Sequence, residues 1–176
     1  MGIVNIENKI RTVPNFPQKG IMFRDITTLL KDKEAFNYVV ERFCERYKGK
    51  QIDKVVSIES RGFIFGSVLA YKLGAGFVPI RKPGKLPAEV IRQEYQLEYG
   101  TDSMEIHKDA IQPGESVLIH DDLLATGGTV AAACKLIERL EGKVEGICFL
   151  IELTPLNGRR ALPKTDIFSL IEYDTD

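Results

Sequence analysis

Two adjacent carboxylates, Asp121 and Asp122, close an apolar strand a few residues before a loop of small side chains. The full stretch reads Val117-Leu-Ile-His-Asp-Asp-Leu-Leu-Ala-Thr-Gly-Gly-Thr129. In the loop formed by Ala125, Thr126, Gly127, Gly128 and Thr129, small residues let the backbone approach an anion. Glycine also permits the dihedrals that aim successive N–H groups inward. The loop opens a helix, whose free N–H groups and positive dipole end favour a phosphate, and the two threonines add hydroxyl donors. It is not a P-loop, because the Gly-Lys-Ser/Thr ending is missing, and no Gly-x-Gly-x-x-Gly follows a strand. The carboxylates then narrow the chemistry. Beside a phosphate they repel it, at about 4 kcal/mol per close pair near a protein surface, unless they face hydroxyls or a cation. A sugar phosphate meets that requirement: phosphate in the cradle, ribose diol on Asp121 and Asp122, and Mg²⁺ nearby.

Other residues suit the rest of such a ligand. Glu59-Ser-Arg-Gly-Phe63 follows a β-branched run, at the strand end where open α/β sheets bind ligands. Arg61 suits bidentate binding of diphosphate oxygens, with Ser60 beside it and Gly62 leaving room. Arg81-Lys-Pro-Gly-Lys-Leu-Pro87 clusters cations beside Pro and Gly, as a flexible anion clamp would. Near the N-terminus, Val13-Pro-Asn-Phe-Pro-Gln-Lys-Gly-Ile-Met-Phe-Arg-Asp-Ile-Thr27 offers Phe23 to stack on a planar base. Backbone groups around Arg24 can read the edge of that base. His107 and His120 have no metal-ligand spacing, no metal is expected to be held directly by the protein alone, and His120 receives no role.

The elements that must position these groups follow from hydrophobic periodicity. After Asp32, a plausible N-cap, apolar residues at Ala35, Phe36, Val39, Val40, Phe43 and Tyr47 have helical spacing. Lys54 to Ile58 reads as a strand, followed by a turn and an apolar helix that Gly74 closes. Phe77 to Ile80, Val117 to Ile119, Val144 to Leu153 and Ile167 to Tyr173 supply further strands. A helix carrying Val130, Ala133, Cys134, Ile137 and Leu140 precedes Gly142, which is expected to end it. Nearly all-apolar strands alternating with helices predict an α/β fold, a mostly parallel twisted sheet covered on both faces. The segment 83–111 breaks the pattern and is expected to be a mobile hairpin or lid, longer than an ordinary connection.

The 176 residues suit one domain, 1–176, with a small N-terminal hood over about residues 1–30. Hydrophobic residues at 44% and charged residues at 28% are ordinary globular values, and a net charge of −1 gives no reason to expect nucleic acid. No apolar run is long enough to span a membrane, and no signal peptide is read at the N-terminus. Cys44, Cys134 and Cys148 are odd in number and lie in apolar segments, which predicts reduced core thiols and a cytoplasmic protein.

The acid pair and Thr-Gly-Gly-Thr loop resemble the phosphoribosyl-diphosphate motif of the type I phosphoribosyltransferases, and the resemblance extends over nearly the whole chain. The Pro-rich lead-in ending in Phe-Arg-Asp-Ile-Thr is similar to the signature of the adenine-using branch. The resemblance implies purine salvage: transfer of the 5-phosphoribosyl group from phosphoribosyl diphosphate to adenine, giving AMP and pyrophosphate, with Mg²⁺ as cofactor and a homodimer as the assembly. It makes Glu59 to Phe63 the pyrophosphate loop, brings Lys85 to the pyrophosphate and sets Arg81 at its entrance. In Gln96-Leu-Glu-Tyr-Gly100 it gives Glu98 the handling of the base and Tyr99 a place over the site. Leu156 would face the base opposite Phe23. Asp121 and Asp122 then join Glu98 as the catalytic group. The sequence departs from the pattern at His120, usually aliphatic, at Ala88-Glu89 after Leu-Pro, and at Pro155. Alternatives are a relative acting on hypoxanthine, xanthine or orotate, or a regulator that senses phosphoribosyl diphosphate. The second would carry a DNA-binding domain, for which too few residues precede Phe23.

Overall fold

The computed structural model describes residues 5–96 and 100–174. Strands β1 (Arg11–Pro14) and β2 (Met22–Asp25) form an antiparallel hairpin ahead of a short helix, α1 (Thr27–Leu30). Helix α2 (Lys33–Arg46) begins where the Asp32 carboxylate accepts the backbone N–H groups of Glu34 and Ala35, both at 3.1 Å. This satisfies two of the donors that every helix start leaves without an intrahelical acceptor. Then follow β3 (Lys54–Ile58), α3 (Gly62–Leu73), β4 (Gly76–Ile80), and the antiparallel pair β5 (Val90–Gln96) and β6 (Thr101–His107). The chain continues through β7 (Ser116–Leu124), α4 (Gly128–Arg139), β8 (Lys143–Leu153) and β9 (Ile167–Tyr173).

Five strands make the central sheet, in the order β4-β3-β7-β8-β9, all parallel. Successive strand residues point to opposite faces, so the inner strands β3, β7 and β8 each feed two cores. Val55, Leu118, Cys148 and Leu150 pack with Phe43, Phe65 and Leu69 of α2 and α3. Their neighbours Val56, Ile119, Ile147 and Phe149 pack with Val130, Ala133 and Ile137 of α4. Each large side chain buried in this way contributes roughly 1.5–3 kcal/mol. The expected parallel sheet with helices on both faces is what forms. Met104 and Ile106 of β6 belong to the second core, so the segment expected as a hairpin or lid is rooted in the body of the protein.

Two boundaries differ from the sequence reading. β7 runs on past the acid pair to Leu124, because the eleven-residue β8 continues the ladder, with Asp121 opposite Phe149 and Leu124 opposite Glu152. Asp121 and Asp122 are therefore held by strand geometry rather than by a turn. Helix α4 ends at Arg139, and the left-handed residue after it is Glu141 (φ 60°), not Gly142. The Gly142 N–H instead donates to the Ile137 carbonyl at 3.0 Å, in a spot where a Cβ would crowd Ile111 and Ile137 at 2.9 Å.

Candidate active site

The chain leaves β3 toward β4 at one side and leaves β7 toward β8 at the other. A parallel sheet opens a crevice beyond the carboxyl ends of its strands where the order reverses in this way. Here it holds a cavity of about 490 Å³, a size that suits a small-molecule ligand. The turn after β3 supplies Ser60 and Arg61, the end of β7 supplies Asp121 and Asp122, the loop into α4 supplies Ala125, and the first turn of α4 supplies Thr129. Phe23 from the N-terminal hairpin and Arg81 after β4 complete its walls.

Gly127 takes a left-handed conformation (φ 83°) that a side chain would strain, and this turns the chain from β7 into α4. Helix geometry leaves the first N–H groups of α4 without intrahelical acceptors, pointing back toward the cavity end of β7. Thr126 is exposed, while Gly127 is buried.

Alternation along β7 sends the acid pair to opposite faces, yet both reach the cavity. Asp121 Oδ1 accepts the Asp122 backbone N–H at 2.9 Å, and Asp122, nearly buried, lies with Oδ2 2.9 Å from Arg61 Nε. A Cβ at Gly62 would lie 3.0 Å from Asp121 Oδ1, so glycine there keeps the turn close to the carboxylate. Burial raises the pKa of Asp121, and the neighbouring Asp122 charge raises it further. Burial also raises that of Asp122, against the opposing Arg61 cation. The Arg61 guanidinium stands 5.1 Å from the centre of the Phe23 ring, so one side chain links the acid pair to the aromatic wall.

Arg81 is fixed by Glu59, its Nε donating to Oε2 at 2.7 Å, while its Nη1 reaches the Lys85 carbonyl at 3.4 Å. The lysine that lines the cavity is Lys82; Lys85 is exposed on the same loop. Lys82 pairs with Asp102 and donates to the Tyr95 hydroxyl at 3.1 Å, and the Tyr95 hydroxyl donates to Asp102 at 3.2 Å. Arg24 turns its side chain away from the cavity: Nη1 donates to Thr12 Oγ1 at 2.7 Å and the guanidinium stacks 4.0 Å from the Tyr173 ring. It ties the hairpin to β9, leaving its backbone for any contact with a base. Leu156 lies in the turn Thr154–Leu156 after β8 and does not line the cavity. Glu98 and Tyr99 lie outside the described residues.

Lys82, Tyr95 and Met104 also line the cavity and were not singled out in the sequence, and Glu59, read only as the start of the pyrophosphate loop, lines it too. Lys82 had a signal, being one of the cations in the Arg81 to Pro87 run. Tyr95 and Met104 come from a hairpin whose packing on α4 no local pattern reveals.

A crevice at the reversal of a parallel sheet, floored by a strand-borne acid pair and closed by an anion loop, defines a phosphoribosyl-transferring class. The chain belongs to it: residues 27–174 match the phosphoribosyl transferase domain family. Its relatives are more specific. The adenine phosphoribosyltransferase of Chloroflexus aurantiacus is 59% identical over 169 residues, covering 96% of this chain and 98% of that protein. The crystal structure of the adenine phosphoribosyltransferase of Thermoanaerobacter pseudethanolicus superposes with a TM-score of 0.93 at 57% identity, over 96% of this chain and 98% of that one. That of Saccharomyces cerevisiae, complexed with an imino-altritol bisphosphate and adenine, gives 0.89 at 42% identity, over 94% and 96%.

Proposed function

We propose that this protein transfers the 5-phosphoribosyl group from phosphoribosyl diphosphate to adenine, forming AMP and pyrophosphate in purine salvage. The observation that carries this reading is the placement of Asp121 and Asp122 in the same cavity as the anion loop and Arg61. The amides and hydroxyls of Ala125 to Thr129 hold the 5-phosphate, and the acid pair accepts the ribose hydroxyls. Arg61, Ser60, Arg81 and the lysines of the following loop, Lys85 included, take the diphosphate. Phe23 stacks on one face of the base, whose edge meets the backbone at Arg24, and Leu156, from the turn after β8 beyond the cavity lining, covers the other face once the base is bound.

In the reaction, the bond from the anomeric carbon to the diphosphate oxygen breaks and a bond to a purine nitrogen forms. Positive charge develops on the sugar as the diphosphate leaves, and the Asp121 and Asp122 carboxylates stabilise it in a site shielded from water. Glu98 takes the proton that the purine nitrogen gives up, and Tyr99 covers the site. Holding base and sugar in register supplies the remainder, with no covalent enzyme intermediate. Among the described residues no group of three or more His, Cys, Asp or Glu is arranged to hold a metal. Two carboxylates facing a diphosphate site fit a Mg²⁺ that arrives mainly on the substrate's own oxygens. When bound, it neutralises the diphosphate and eases its departure.

Roughly the first 30 residues serve as the hood over the base and the segment 83–111 as the lid, within a single domain. The protein acts in the cytoplasm as a homodimer; the buried, reduced Cys134 and Cys148 support the first of these. The test is product detection with adenine, phosphoribosyl diphosphate and Mg²⁺, with hypoxanthine, xanthine and orotate in parallel. AMP formation with adenine in strong preference is expected, and no AMP refutes the reading.

A further inference from the structure

The anion loop is shaped by a turn far downstream in the sequence. Gly127 packs its Cα against the Gly158 carbonyl: a Cβ there would overlap that oxygen and lie 3.1 Å from the Ala161 Cβ. Gly158 returns the contact. A Cβ on it would overlap the Ala125 carbonyl oxygen and come within 2.8 Å of Leu124 Cδ1. Gly158 is buried, and at both glycines the atom overlapped is a backbone carbonyl oxygen, so backbone would have to move.

The residue after Gly158 fixes this turn. Arg159 donates from Nε to both oxygens of the buried Glu152 carboxylate, at 2.8 and 3.0 Å, and from Nη2 to Oε2 at 2.6 Å. Ser169 of β9 donates to the same carboxylate at 2.6 Å. Glu152 stands in register with Leu124, the last residue of β7 before the loop. The fork therefore anchors the turn Gly158–Ala161 to the strand position from which the anion loop departs.

We propose that Gly158 and Arg159 are positioning residues for the 5-phosphate cradle. The turn they fix is the wall that sets the path of Ala125 to Gly128, and so the aim of the first N–H groups of α4. Hydrogen bonds weaken steeply with misalignment, so a shift of this wall is felt by the phosphate although neither residue touches it. The inference rests on the phosphoribosyl reading of the site.

The test compares binding of ribose 5-phosphate and of pyrophosphate, each with Mg²⁺, by calorimetry on the wild-type protein, Gly158→Ala, Arg159→Gln and Arg159→Lys. Ribose 5-phosphate is expected to weaken about 30-fold in Gly158→Ala and roughly tenfold in Arg159→Gln, the scale of one or two charge-assisted hydrogen bonds lost. Pyrophosphate, held from the β3 and β4 side, should stay within about twofold. Arg159→Lys should recover part of the loss, since it keeps the charge but not the fork. In turnover, KM for phosphoribosyl diphosphate rises while KM for adenine does not. If Gly158→Ala does not fold, Arg159→Gln decides, because its side chain is partly exposed. Unchanged ribose 5-phosphate affinity in the folded variants, or an equal fall for pyrophosphate, overturns the inference alone. A wild-type protein that binds no ribose 5-phosphate overturns the functional reading and this inference together.

Discussion

Replacing His120 with leucine tests how dry the layer between the sheet and helices α2 and α3 is. His120 has no exposed surface. Its Nδ1 lies 3.1 Å from the Cys148 carbonyl oxygen, and the Phe43 and Phe65 rings meet it edge-on at 5.3 and 6.4 Å. Nε2 has no hydrogen-bond partner among the described residues. Burial pushes the pKa down to about 4 from an ordinary 6.5, with the Cys148 carbonyl opposing only in part. Below pH 6.5 the unfolded chain therefore takes up a proton that the folded protein refuses. The stability tied to this ring is present in full above pH 6.5 and drains away as the pH falls toward 4. At 1.36 kcal/mol per pH unit this amounts to about 3 kcal/mol over the whole window, and about 2 kcal/mol by pH 5.0.

The neighbours do not blur this slope. Burial raises the pKa of both the Cys148 thiol and the Tyr47 phenol, so neither changes charge between pH 5.0 and 7.5. In His120→Leu the variant loses one hydrogen bond and one orphaned nitrogen, effects of opposite sign and about 1 kcal/mol each, so stability at pH 7.5 should change little. Urea unfolding at pH 7.5 and 5.0 reads the difference. The wild-type protein should lose about 2 kcal/mol more than the variant between the two. All other titrating groups are common to both proteins and cancel. Parallel pH dependences would refute the reasoning, showing that the folded protein accepts the proton.

Four further outcomes follow from the site and the core. Asp122→Asn, under saturating Mg²⁺, should lower kcat about 100-fold, the scale of losing one preorganised electrostatic contact; an unchanged rate removes the acid pair from the mechanism. Because burial and Asp122 raise the Asp121 pKa, the acid limb of kcat/KM should lie above the ordinary carboxylate range, with activity lost as pH falls through it; Asp122→Asn should move that limb down. Lys82→Met should raise KM for phosphoribosyl diphosphate roughly tenfold and leave KM for adenine alone, measured by steady-state kinetics. Phe65→Ala, which empties a ring stacked 4.9 Å from Phe36, should cost about 3–5 kcal/mol in chemical denaturation.

The sheet and the anion loop were legible because both are written in contiguous residues. Ile147 to Ile151 is apolar without a break and Val55 to Ile58 is interrupted only by the small, buried Ser57, as a strand covered on both faces requires and a half-exposed one does not. Asp121, Asp122 and the small residues of 125–129 are likewise neighbours in the chain, so their shared chemistry needed no tertiary guess. Lys82 rather than Lys85 at the cavity wall was harder. Both belong to one basic run, and the choice is made by Asp102 and Tyr95, which arrive from the hairpin β5–β6.

The same distinction explains why residues that shape the site leave no mark next to it. Glycine at 127 reads as a turn residue, and its left-handed dihedral bears that out. Yet even a residue that tolerated that dihedral would meet the Gly158 carbonyl, and nothing within ten residues of the loop announces this. Arg24 makes the complementary case: it sits inside the segment proposed to meet the base, yet its guanidinium serves Thr12 and Tyr173. A motif identifies which backbone segment meets the ligand. Whether each side chain in it meets the ligand or holds the segment in place is decided by partners that folding brings from elsewhere, here β9 for the hairpin and the turn after β8 for the loop. For that reason the sharpest probes of this site include Gly158 and Arg159, which stand behind the cradle rather than in it.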